Sequence, residues 1–144
     1  MGFEDKEKFK LGPVDERTTR AIRSRLSGAV LTCASAMAAA DEGGADPLDI
    51  GRGADALGIR LTVCQLGLFG FPAGVKGWVY AEVTDRPVPS GFEEAVRAAC
   101  SAEGGISCAA LWDAAERFAV PRIQAGYVAD SLGITVRSCQ LGAF

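Results

Sequence analysis

The sequence predicts an α+β fold, mostly helical, assembled as two tandem units from an internal duplication. Three observations carry this expectation. First, sliding the chain along itself by 75 residues sets Cys33 on Cys108, Cys64 on Cys139, and Gly51, Asp55, Leu57, Gly58 and Ile59 on Gly126, Asp130, Leu132, Gly133 and Ile134. Self-similarity at a fixed period marks a repeated structural unit. Second, each copy places apolar residues at helical spacing, as in Ile50, Ala54 and Leu57 or Ala125, Ala129 and Leu132. Third, beyond Gly58 and Gly133 the apolar period changes to two, the spacing of a strand. The segment VCQLGLFG (63–70) therefore returns as SCQLGAF (138–144) because the whole unit is repeated. The expected organisation is a tail over 1–11, a first repeat over 12–84, a linker over 85–90 (DRPVPS) and a second repeat over 91–144.

The elements follow in order. A first helix is predicted over Thr19–Leu26 in the first repeat and Glu93–Cys100 in the second. Thr32 and Ser107 then stand at matching positions, where a hydroxyl can accept from the free amides of a helix start. The second helices run through CASAMAAADE and CAALWDAAER, whose alanines favour helix and allow close approach. Pro47 and Pro121 mark the start of a third helix, since proline is tolerated in a first turn. Gly58 and Gly133 end it, as a left-handed C-terminal cap requires. A short strand is expected next, with Ile59, Leu61 and Val63 inward, and Ile134, Val136 and Ser138 in the second copy. The run GVKGWVYAEV (74–83) is expected to return as the second strand of a hairpin in the first repeat, and the wing of the second repeat is expected to be absent or completed by another chain.

Three helices, a tight turn between the second and third, and a hairpin together resemble the winged helix-turn-helix. The resemblance covers nearly the whole chain as two copies. It rests on a small residue within the second helix, a small residue at the turn and an apolar anchor in the third helix: Ala40, Gly44 and Ile50, then Ala115, Ala119 and Ala125. It implies DNA binding or transcription regulation through the third helix. The alternative is a non-catalytic accessory subunit that docks a partner through the same units.

Candidate residues fall into three groups. On the third helix of the second repeat, Arg122, Gln124, Tyr127 and Ser131 can serve base edges or phosphates. Arg20 and Arg23, within the basic cluster Arg17, Arg20, Arg23 and Arg25, would add phosphate contacts. The corresponding first-repeat helix carries Asp46 and Asp49, which oppose a phosphate backbone. The aromatic residues Phe71, Trp78 and Tyr80 form a candidate surface for a protein partner.

The last group is the thiolate set Cys33, Cys64, Cys108 and Cys139. Four sulfurs suit zinc or an iron–sulfur cluster, but no two cysteines have the C-x-x-C spacing, and packing is the expected role. The chain has five cysteines, an odd count that argues against a disulfide framework. It has no histidine, which excludes Ser-His and Cys-His nucleophile pairs. Asp55 and Asp130 are expected to serve structure, and no enzyme activity or cofactor is expected. The candidate partners are DNA, a protein or a second copy of the chain. With 49% hydrophobic and 23% charged residues the composition is that of a folded protein, and no segment reads as a membrane span or signal peptide, so a cytoplasmic location is expected. Net charge is −3, although residues 1–30 carry seven Lys/Arg against five Asp/Glu.

Overall fold

In the computed structural model, which describes residues 15–144, Asp15 opens helix α1 (Glu16–Arg23) by accepting from the Thr18 amide at 2.7 Å. That cap starts α1 three residues before the expected Thr19, and its first turn lies on Glu16, as the helix dipole favours. The tail expected over 1–11 lies outside the described residues.

Strand β1 (Val30–Thr32) runs directly into α2 (Cys33–Gly43). Thr32 serves both elements, ending the strand and accepting from the Ser35 amide at 3.1 Å. Gly44 leaves α2 in the left-handed region (φ 61°), and Asp46 caps α3 (Pro47–Ala56) with Pro47 in its first turn. Helix α3 buries Ile50 and Ala54. After Gly58 (φ 70°), β2 (Arg60–Thr62) pairs with β1 in parallel, Leu31 opposite Leu61. Parallel pairing of strands so near in sequence needs a crossover, which α2 and α3 provide.

The same order recurs further along. Following α4 (Trp78–Ala81), α5 (Phe92–Ala98) leads to β3 (Ile106–Ser107), α6 (Cys108–Arg117), α7 (Arg122–Ser131) and β4 (Val136–Ser138). Ser107 caps α6 through the Ala110 amide at 3.1 Å, and β4 pairs with β3 in parallel. Ala119 occupies a left-handed turn after α6 (φ 54°), as Gly44 does after α2. The fold is thus mixed α and β and mostly helical, with seven helices and four very short strands among the described residues.

By contact the chain divides into two units. Unit one holds the residues up to Thr62 together with Leu141–Ala143, and unit two holds Val63–Gln140 together with Phe144. The turn after β2 belongs to unit two, and the turn after β4 contributes Leu141–Ala143 to unit one. Unit one buries Ile22, Leu31, Ala36, Ala39, Ile50 and Leu141 completely or nearly so. In unit two a single apolar cluster contains Leu66, Phe92, Val96, Ile106, Leu111 and Ala125. Phe92 and Phe118 meet there edge to face at 5.7 Å.

Two expectations about the wing are corrected. The run 74–83 forms no strand: a 3-10 turn (Pro72–Gly74) and the one-turn helix α4 replace it, so no hairpin follows β2. Gly77 supplies the reason, since its bare backbone lies against the Phe71 ring and a Cβ there would overlap it. The inward alternation also fails at Val63, which is 43% exposed at φ 50° while Cys64 beside it is buried. Backbone bonds from Val63 to Gly70 and from Cys64 to Phe69 close residues 63–70 into a loop instead.

Candidate functional site

Helix α7, the expected reader of a DNA groove, is built into the core of unit two. Ala125 and Ala129 pack inward as predicted. The adjoining face is covered as well. The Leu66 carbonyl sits where a Cβ of Gly126 would project, so only glycine admits the Cys64–Gly67 turn against the helix. Leu66 itself is fully buried. Tyr127 packs edge-on against Trp78, ring centroids 5.9 Å apart. In unit one the same device recurs, with the Leu141 carbonyl seated on Gly51 of α3.

The candidate nucleic-acid residues are engaged or dispersed. Arg122 is exposed, but it donates to Gln65 Oε1 at 2.7 Å and its guanidinium lies 3.6 Å from the centroid of the Trp112 ring. Gln124 is buried and donates to the carbonyls of Arg86 (3.0 Å) and Pro87 (3.5 Å), which satisfies an amide that burial would otherwise penalise. Ser131 is exposed, its hydroxyl donating to the Tyr127 carbonyl at 2.9 Å. In unit one, Arg20 pairs with Glu16 at 3.3 Å and Arg23 is exposed on the last turn of α1. Arg25 donates to Glu42, a bond that holds the Glu42 carboxyl below its usual range.

The candidate partner residues separate. Trp78 is 6% exposed and anchors α4, and Phe71 is half-buried against Gly77. Tyr80 stays 53% exposed, its hydroxyl donating to the Pro72 carbonyl at 3.0 Å, and Val79 beside it is 60% exposed. Val79 was missed in the sequence, because a strand over 74–83 would have alternated the two side chains across opposite faces.

The thiols fall in both units. Cys33 lies in unit one, at the first position of α2, whereas Cys64, Cys108 and Cys139 lie in unit two. Cys33, Cys64 and Cys108 are buried and Cys139 is half-buried. Burial pushes the Cys108 thiol up to about 11, opposed by the Gln140 amide, which donates to its sulfur at 3.5 Å. Such a thiol is a poor nucleophile at neutral pH. Among the described residues no group of three or more Cys, Asp or Glu side chains could hold a metal ion. The Gln65 side chain accepts from Arg122, and the Gln140 amide donates to the Cys108 sulfur. No described helix is long and apolar enough to cross a membrane. No family model, curated protein or solved structure matches the chain.

Proposed function

We propose that the chain is a non-catalytic interaction module that docks a protein partner through the apolar surface of Val79 and Tyr80. The observation that carries this reading is the covered state of α7. A groove-reading helix needs a free face, and this one has Leu66 seated on Gly126, Trp78 on Tyr127 and Gln124 bonded to backbone carbonyls. The α4 turn, by contrast, presents two large apolar side chains while Trp78 fixes its backbone. A rigid exposed tyrosine beside an aliphatic side chain suits a protein interface, where aromatic residues are enriched. An origin by duplication of a helix-turn-helix unit belongs to the same proposal. The recurrence of the Thr32 and Ser107 caps, each followed by a cysteine opening the second helix, supports it.

The test has two arms. Titration of mixed-sequence duplex DNA at about 50 mM salt and micromolar protein should show no binding, because the chain carries a net charge of −3 and the outer face of α7 is covered. A photo-cross-linking residue at Val79, in the cell of origin, should capture one defined protein, and Tyr80→Asp should abolish the adduct. Salt-dependent DNA binding that Arg20→Ala and Arg23→Ala weaken would overturn the reading in favour of the regulator. An adduct unchanged by Tyr80→Asp would overturn the assigned surface, and an adduct with the same chain would identify a homodimer as the partner.

A further inference from the structure

We infer that unit two holds a pocket for an apolar α-amino acid, bound as its zwitterion. A cavity of about 400 Å³ is walled by Phe69, Ile134, Val136 and Phe144, with Lys76 and Asp130 also lining it. That volume lies within the range of about 300–1,000 Å³ typical of small-molecule sites. The pocket follows from features already described. Gly126 and Asp130 lie four residues apart and so share one face of α7. The loop seated on Gly126 continues into Leu68 and Phe69, which form one wall, and the chain leaving α7 after Gly133 forms the other.

The two charges define the ligand. Lys76 donates to the Leu68 carbonyl at 3.2 Å, which fixes the ammonium and leaves further N–H donors for a carboxylate. The Asp130 carboxylate makes no hydrogen bond or ion pair with the described residues, Lys76 included. Both side chains are exposed and charged, at the edge of a cavity whose walls are mainly apolar. A singly charged ligand would pair with one and leave the other to solvent alone. A zwitterion satisfies both, its carboxylate on Lys76 and its ammonium on Asp130. The aliphatic or aromatic side chain then enters beside Phe69 and Phe144, which meet edge to face at 6.1 Å and 82°. The motif that repeats Asp55 as Asp130 thereby acquires a role in its second copy.

The experiment is a heteronuclear NMR titration of the isotope-labelled full chain with L-leucine, glycine, isovalerate and isopentylamine, each taken to tens of millimolar. Saturable shifts with L-leucine at the Lys76, Thr135 and Val136 amides, weaker than measurable with glycine, are expected. Isovalerate and isopentylamine should bind about tenfold more weakly than leucine, and Lys76→Met and Asp130→Asn should each weaken leucine by about tenfold, the scale of one charge-assisted hydrogen bond. Both substitutions are on exposed side chains, and far-ultraviolet circular dichroism checks that the variants remain folded. Lack of a saturable leucine shift would overturn the inference. So would equal binding of glycine, or isovalerate binding as tightly as leucine with no effect of Asp130→Asn.

Discussion

Gly126→Ala pits two physical terms against each other, and only one depends on the seated turn. In a helix interior, alanine is favoured over glycine by about 1 kcal/mol. At Gly126, however, the new Cβ overlaps the Leu66 carbonyl, a backbone group that no rotamer change can move aside. The turn must lift, and Leu66, which is fully buried, loses its site. Exposing a leucine side chain costs about 1.5–3 kcal/mol, and incomplete collapse of the vacated space raises this toward the 2–5 kcal/mol of a buried leucine truncation. Set against the gain in helix propensity, the net expectation is a loss of about 1–3 kcal/mol. Urea denaturation followed by circular dichroism reads this directly, with the slope checked for constancy between variants. Leu66→Ala should cost about 2–5 kcal/mol, and adding Gly126→Ala to it should be less than additive because the two act on one contact. A stabilised Gly126→Ala protein, or one of unchanged stability, would refute the reasoning, since propensity alone would then be acting. Gly51→Ala tests the same contact in unit one through Leu141.

Two further predictions concern local structure. Thr32→Ala and Ser107→Ala should each destabilise by about 1 kcal/mol, because each leaves a helix-start amide unpaired, and additive losses in the double variant would show that the caps act independently. Cys108 has a folded-state pKa of about 11, above the ordinary thiol value, so the folded state holds this proton more tightly than the unfolded chain. Its contribution to stability is complete below the unfolded value and disappears as pH rises toward about 11. Unfolding curves between about pH 8 and 11 should therefore fall more steeply for the parent than for Cys108→Ala, and parallel curves would contradict the assignment.

Much of the local structure was legible. The side chains of Thr32, Ser107 and Asp46 announce helix starts, and Gly58 and Gly133 announce ends, because those effects act within a few residues. The hairpin was misread because a short apolar run with β-branched and aromatic residues suits a strand as well as a one-turn helix; the contact of Phe71 with Gly77 is decided in three dimensions. Gln124 was assigned to an exposed face, and only the carbonyls of Arg86 and Pro87, 37–38 residues away in sequence, make it a core residue. One signal was present and unused. Gly51 and Gly126 stand inside helices, 75 residues apart, at a penalty to each helix, which points to a backbone approaching closely there.

The allotment of Leu141–Ala143 to unit one has a consequence for how the protein is made. Synthesis proceeds from the N-terminus, and residues 15–62 leave the ribosome long before the turn that covers Gly51 exists. Unit two finds all but its final contributor in a continuous run from Val63 to Gln140 and can close as that run emerges. Unit one must wait, with Ile50 and its neighbours on α3 unsealed, until some eighty further residues are added. A nascent chain halted at residue 84 would contain every residue of unit one up to Thr62 and still lack Leu141–Ala143 of that same unit.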